Sequence, residues 1–444
     1  MQGPVNCTLK LAELLCLNGI TVTVLNTEHI HRNLLRHTNV LSRFSRYDNF
    51  RFETIPDGLP DDHPRSTERF VEVFEGMKNV TEPVFKKMMV SGCFSKMSKC
   101  PVTVVIPDGS YSFALDVADE VGVPVVYFET VSPCALWTYL CLPKLIEAGE
   151  VPFNGPLHTL FKSCMAIEPK PVSQMHKSNG SNSLWEENRS CLTWLDTKPA
   201  KSVIYVSIGS LAIMTVDQFF EIWHGLVNSG KLFLIVKRPG SVIGDHDDNQ
   251  VPKVLVDATK ERGFIAQWVP QEEVLAHSSI GGFLTHSGWN STMESIVEGV
   301  PMICWPLYVD QQVNSRFVSE VWKIGLDIKD TSDKVIIEKA VNDIINVRRN
   351  EFIKSANTLA ESAAQSVTKD GSSFKDLNRL IKDLNSMDDQ IISSMPPQII
   401  VFPSPLQWPS NSMFDLAELL CLSGHAVTFV LIPYTHSPPT LLPH

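Results

Sequence analysis

Positive charge is the first shortage: 38 Lys and Arg stand against 49 Asp and Glu, for a net charge of −11 and a pI near 5.6. A basic face that would track a nucleic-acid backbone is therefore not expected. Paired cysteine motifs are also missing. The ten cysteines (Cys7, Cys16, Cys93, Cys100, Cys134, Cys141, Cys164, Cys191, Cys304 and Cys421) are scattered, mostly inside apolar runs and never as C-x-x-C. They read as reduced core thiols in a cytoplasmic protein. No uninterrupted apolar run reaches 18 residues and no charged-then-apolar leader opens the chain, so neither a membrane span nor a secretory signal is expected. No G-x-G-x-x-G follows a strand pattern, which disfavours a dinucleotide-dependent dehydrogenase. Gly225 to Leu232 nearly spells a phosphate-binding P-loop, but it ends a helix, precedes a strand, and has Leu232 where a metal-binding Ser or Thr is needed.

What is present is length and alternation. A chain of 444 residues can bury two large cores, and helix and strand patterns alternate along it, which implies α/β domains with parallel sheets. Strands are expected at Ile20 to Leu25, Phe50 to Ile55, Val102 to Ile106 and Val123 to Phe128, with helices at Leu9 to Leu17, Thr67 to Met89 and Ser112 to Val121. The polar stretch Lys177 to Arg189 reads as an interdomain linker. Beyond it, strands are expected at Ser202 to Ile208, Leu232 to Val236, Phe264 to Trp268, Gly281 to His286 and Pro301 to Trp305. Thr215 and Gln218 form a capping box for a helix running to Asn228. Helices from Ser332 to Val347 and from Arg349 to Leu384 close this part of the chain.

Functional information concentrates between Trp268 and Gln311, WVPQEEVLAHSSIGGFLTHSGWNSTMESIVEGVPMICWPLYVDQ. Gly281 to His286 is a strand, Ser287 and Gly288 break it, and Asn290 to Glu298 is a helix. The first turn of such a helix carries unpaired N–H groups and the positive end of its dipole, which suits a pyrophosphate. His286, Asn290 and Ser291 add side-chain donors there. Glu294 lies four residues after Asn290 on the same face, where a carboxylate can accept both hydroxyls of a ribose. Trp268 offers a flat apolar face to a base. Asp310 and Gln311 combine acceptors and a donor, as sugar hydroxyls require. Singly, each residue has a plainer role: Trp268 and Trp289 as core aromatics, His286 as a buried histidine, Asp310 as a helix cap. His277 is read as structural.

The run resembles the signature box of plant secondary-product UDP-glycosyltransferases in its length, its opening Trp-x-Pro-Gln and its HxGWNS centre. The resemblance implies that Trp268 stacks on uracil while the Val269 backbone and Gln271 meet the base edge or ribose. It implies that Glu294 binds the ribose diol, that His286, Asn290 and Ser291 hold the phosphates, and that Trp289, Asp310 and Gln311 hold the sugar. Gln311 at the last position points to glucose. Ser210, in Ser207-Ile208-Gly209-Ser210, matches a serine that contacts the diphosphate, its plainer role being a strand-to-loop turn. The implied fold is α/β with two Rossmann-like domains facing a cleft, the GT-B architecture. The implied reaction is direct displacement at the anomeric carbon, with inversion, no metal and no cofactor. UDP-glucose is the co-substrate and a small lipophilic molecule the acceptor.

The chain departs from that pattern. The resemblance implies a histidine base in a QGHxN-like turn, oriented by an aspartate after a later strand. The aspartate is Asp108, in VVIPDGS, whose plainer role is forming a turn before Gly109. The turn reads Gln2-Gly3-Pro4-Val5-Asn6, with Pro4 at the histidine position, and losing a general base costs ~10²–10⁴-fold in rate. The strand expected before that turn is missing, and Gly155-Pro156-Leu157 joins segments the family keeps apart. Residues from Leu406 repeat the chain's beginning: LAELLCLSG (Leu416 to Gly424) matches LAELLCLNG (Leu11 to Gly19), and QIIVFP (Gln398 to Pro403) spells the strand that the first copy lacks. A fused neighbouring gene start is the favoured explanation, with Ile399 to Phe402 filling the empty sheet position as the other; that position is expected to be filled.

The expected organisation is an incomplete N-terminal Rossmann-like acceptor domain (1–176), a linker (177–189), a C-terminal Rossmann-like UDP-sugar domain (190–348), a helical segment (349–385) and the partial repeat (396–444). The leading expectation is a UDP-glucosyltransferase acting on a hydroxyl or carboxyl. Against it stand a catalytically impaired UDP-sugar-binding protein from a damaged or fused gene copy, which Pro4 favours, and another α/β nucleotide enzyme.

Overall fold

The computed structural model describes residues 2–63, 65, 69–94, 101–147, 183–244, 252–308, 310–329, 331–389 and 398–403. It divides into two compact units. Of the described residues, the first holds those within 2–130, 183–186, 372–389 and 398–403, the second those within 131–147 and 187–371. In chain order the strands are β1 (Thr21–Thr27), β2 (Phe50–Ile55), β3 (Val102–Pro107), β4 (Val203–Ser207), β5 (Met214–Thr215), β6 (Leu232–Val236), β7 (Val242–Ile243), β8 (Gly263–Ala266), β9 (Ile280–Thr285), β10 (Met302–Cys304), β11 (Gly325–Asp327) and β12 (Gln398–Phe402).

The first unit is built on a parallel sheet ordered β2-β1-β12-β3. The expected gap is occupied: β12 pairs with β1 from Thr21↔Gln398 to Val24↔Val401 and with β3 from Ile399↔Val104 to Phe402↔Pro107. A central parallel strand must be apolar on both faces, and QIIVF meets that demand. Ile399 and Val401 join a core with Leu9, Leu15 and Leu380, while Ile400 and Phe402 join one with Leu25, Phe85 and Tyr111. Gln398, the one polar residue of the strand, gives its amide to Thr23 Oγ1 at 3.1 Å. The repeated segment from Leu406 lies outside the described residues, as do Gly155-Pro156-Leu157.

Several expectations need correction here. Val123 to Phe128 is not a regular strand; it makes two isolated parallel bridges, Val105↔Val125 and Asp108↔Phe128. Pro107 and Pro124 remove ladder donors on both sides of that pairing. The helix expected from Thr67 is Phe70–Gly76, a π turn at Met77–Thr81, then Glu82–Val90. The helix expected from Arg349 to Leu384 is two, Arg349–Ser366 and Ser372–Asp389. Gly371 marks the break, where a Cβ would collide with the Ser366 carbonyl. The first of these helices packs Ala356 and Ala363 in the second unit, and the other packs Leu380 and Leu384 in the first. The expected linker is partly core: Leu184 is buried with the first unit's apolar cluster. The described residues 131–147 group with the second unit.

The second unit has a six-stranded parallel sheet, ordered β11-β10-β9-β4-β6-β8. Alternate residues feed the cores on its two faces: Ile204, Val206 and Phe233 on one, Val203, Tyr205 and Leu234 on the other. The Thr215 capping box forms as expected and the helix runs Val216–Asn228. Gly230 follows at φ +69°, as a helix stop rather than a phosphate loop.

Candidate functional site

Because β4, β8, β9 and β10 are parallel, the loops that follow them open at one edge of the sheet, where ligands gather in such folds. The loop after β9 carries His286, Ser287 at φ +64° and Gly288, and the Trp289–Val297 helix begins there. Gly288 supplies no side-chain cap, so the positive end of that helix is open to an anion.

His286 is wedged into backbone. A Cβ on Gly209 would lie 2.6 Å from its ring, and one on Gly288 2.5 Å from its Nε2. Gly209 also sits at φ +79°, so glycine is required there on two grounds. Burial pushes the imidazole down to about 4, which keeps it neutral, and its Nδ1 has no hydrogen-bond partner.

Gln271 organises the other side. Its Oε1 accepts from Tyr205 Oη at 3.0 Å, and its Nε2 donates to Ser291 Oγ at 3.0 Å and to Glu294 Oε2 at 2.7 Å. Tyr205 itself is fixed by stacking on Phe283 at 4.8 Å between ring centroids. Residues from β4, β9 and two helices are thus tied into one polar group. Trp268 is half-buried at the end of this segment, its carbonyl accepting the Asn188 N–H at 2.9 Å, while Val269 is buried in the core.

After β10, Asp310 and Gln311 are fully buried. Asp310 stands at the N-cap position of the Gln311–Arg316 helix without capping it. Its Oδ2 accepts from Asn314 Nδ2 at 2.7 Å, and burial raises its pKa to about 6 against the lowering effect of that amide and of nearby backbone N–H groups. Gln311 Oε1 accepts the N–H groups of Leu307 and Tyr308 at 2.9 and 3.1 Å. That leaves Asp310 Oδ1 and Gln311 Nε2 buried without partners, like His286 Nδ1. Each such orphan costs about 1–3 kcal/mol, so a local concentration of them marks a place built for a polar ligand. Ser210 follows Gly209 in the loop after β4, and Trp289 and Asn290 open the helix, all partly buried.

Asp108 belongs to the first unit, at the end of β3. It is 6% exposed; Oδ1 accepts the Ser110 N–H at 3.1 Å and Oδ2 the Thr130 hydroxyl at 3.2 Å, while its own N–H donates to Phe402 O at 2.8 Å. Pro4 is buried in the first turn of the Gln2–Leu17 helix, a position proline tolerates and where it brings no titratable group. His277 bonds Ser279 and Asp196, in keeping with a structural role.

Sequence reasoning missed Tyr205, Asn314 and Thr130, which orient site residues, and Glu129, whose carboxyl packs on Gly109. Only tertiary contacts reveal them. Among the described residues no group of His, Cys, Asp and Glu could hold a metal ion, and no helix is long and apolar enough to cross a membrane.

A family profile for UDP-glucoronosyl and UDP-glucosyl transferase matches residues 155–360. Over 462 aligned residues the chain is 43% identical to a 7-deoxyloganetic acid glucosyltransferase of Catharanthus roseus, covering 87% of this chain and 96% of that protein. It is 33% identical to an (R)-mandelonitrile beta-glucosyltransferase of Prunus dulcis, over 86% and 94%. A UDP-glucose: anthocyanidin 3-O-glucosyltransferase solved with UDP superposes with a TM-score of 0.68 at 21% identity, over 86% of this chain and 95% of that one. Os79 from O. sativa with UDP gives 0.66 at 22%, over 84% and 96%. These structures establish the fold as the α/β, two-domain GT-B type.

Proposed function

The chain belongs to the plant UDP-glycosyltransferase family, and from that premise we propose that it transfers glucose from UDP-glucose to a hydroxyl or carboxyl of a small lipophilic acceptor, with inversion. A UDP-sugar is the family's co-substrate, and the reading needs no further cofactor. The observation that carries it is the Gln271 node, which holds Ser291 and Glu294 together beside an uncapped helix tip.

In this reading Trp268 stacks on uracil, and the Val269 backbone and Gln271 meet the base or ribose. Glu294 accepts the ribose hydroxyls. Ser210, His286, Asn290 and Ser291 hold the diphosphate, whose growing charge the helix tip stabilises as UDP leaves. Neutral His286 serves as donor rather than acid. Trp289, Asp310 and Gln311 hold the sugar, the unpartnered Asp310 Oδ1 and Gln311 Nε2 being matched to its hydroxyls. Asp108 serves the acceptor's proton. The relatives named above are a 7-deoxyloganetic acid and an (R)-mandelonitrile glucosyltransferase, which supports a small, largely apolar acceptor. Reduced thiols at Cys16, Cys191 and Cys304 support a cytoplasmic location.

Identity running along 96% of a glucosyltransferase does not favour the impaired-copy reading that Pro4 suggested. The test is calorimetry with UDP followed by turnover of UDP-glucose with a panel of alcohols, phenols and carboxylic acids. Glucoside formation is expected; UDP binding without product from any acceptor would overturn the transferase reading.

A further inference from the structure

The residue after Phe128 brings a second carboxyl to Asp108. Phe128 pairs with Asp108 in a parallel bridge, its N–H on the Pro107 carbonyl at 2.9 Å. Glu129 then folds onto the backbone beside Asp108: its carboxyl occupies the space where a Cβ on Gly109 would stand. Glu129 Oε1 is buried and accepts no hydrogen bond. Thr130, next in sequence, gives its hydroxyl to Asp108. One short segment therefore supplies both a second acid and a donor to the aspartate.

We propose that Glu129 shares in proton transfer: packed on Gly109 beside Asp108, it makes the two carboxyls a single proton-accepting unit in place of a histidine. This rests on the transferase reading given above. The Ser110 N–H and the Thr130 hydroxyl both donate to Asp108, so with one proton in the pair Asp108 is the anion and Glu129 the acid. Burial first, then the charge of Asp108, push Glu129 up to about 8. A lone aspartate is a weak base for an alcohol, whereas a pair that has lost its last proton regains one near neutral pH.

Among the described residues two tyrosines also feel the pair, and both stay neutral. Tyr127 is raised by burial and by the charge of Glu129, and Tyr111 by burial, Asp108 and Asp57. In the step itself the acceptor's hydroxyl proton passes to the pair and its oxygen bonds the anomeric carbon. The bond from that carbon to the phosphate oxygen breaks, and UDP takes the electron pair. The captured proton then leaves to solvent. A carboxylate acceptor has no proton to give and bypasses the pair.

The experiment is kcat against pH for the full chain with an aliphatic alcohol and with a carboxylic acid acceptor. Wild type should show alcohol transfer rising to a plateau above about 8, with carboxylate transfer level. Glu129→Gln keeps the shape and removes the charge; it should lower alcohol transfer ~10²-fold, abolish the rise, and leave carboxylate transfer within about twofold. Gly109→Ala, which evicts the Glu129 carboxyl, should behave alike. An unchanged alcohol profile in Glu129→Gln, or equal losses with both acceptors, overturns the proposal. If wild type binds UDP but serves neither acceptor, the transferase reading itself fails.

Discussion

The Tyr111 and Phe402 rings stack at 3.9 Å between centroids and 14° between planes, and Tyr111 Oη donates to the Pro403 carbonyl at 3.2 Å. A strand from near one end of the chain is thereby locked to the loop that carries Asp108. Phe402→Ala should cost ~3–5 kcal/mol, because the emptied place lies between two fixed strands. Urea unfolding measures it; an unmoved midpoint would mean that β12 does not occupy the sheet in solution.

Glu294 and Gln271 should control nucleotide affinity. Glu294→Ala removes the proposed ribose acceptor and Gln271→Ala releases both Glu294 and the Tyr205 hydroxyl. Each should weaken UDP about 10–100-fold, the equivalent of one or two hydrogen bonds to a charged group. Calorimetry with UDP decides this, and an affinity within twofold of wild type would remove both residues from the site.

Gly209→Ala should displace His286, since the added carbon meets the ring at 2.6 Å and the backbone is at φ +79°. We expect at least about tenfold weaker UDP binding with about 1–3 kcal/mol of destabilisation from the strained backbone. Retained affinity would show that the ring's position is immaterial.

His286 has a folded pKa near 4 against an ordinary 6.5. The folded state thus favours the neutral ring. That stability is fully present above about 6.5 and is lost as pH falls through about 4. UDP affinity should accordingly be level between pH 6.5 and 8, and acid unfolding should shift to lower pH in His286→Gln. Titration curves and UDP binding across that range check the sign.

Arg65 holds the turn after β2. Its Nε and Nη2 pair with Asp57 Oδ2 and Oδ1 at 3.1 and 3.0 Å, and its other donors reach the Leu59, Pro60 and His63 carbonyls. Arg65→Ala leaves Asp57 buried and uncompensated and should cost ~3–5 kcal/mol, read from the urea midpoint. A loss below about 1 kcal/mol would show the pair to be solvated.

Most of the candidate donor-site residues could be gathered from the sequence because they lie within one 44-residue run whose turn, helix start and acid spacing are local matters. Glu129 was not legible: a glutamate after an apolar run has no periodicity to announce it, and only Gly109's bare Cα makes room for it. The long helix expected after Arg349 was misread because a helical pattern carries no sign of which core each half will join.

Local order thus determined most of the strands and helices, the alternation that makes parallel sheets, the capping box at Thr215 and the grouping of a candidate nucleotide-binding run. These follow from side-chain period and backbone hydrogen bonding within a few residues. Tertiary structure settled that β12 fills the sheet position the sequence had left open, and it alone decided that Gln271 ties Glu294 to Ser291 and that a second carboxyl lies on Gly109. Those outcomes depend on which distant surfaces bury each other, and burial is a property of the folded whole.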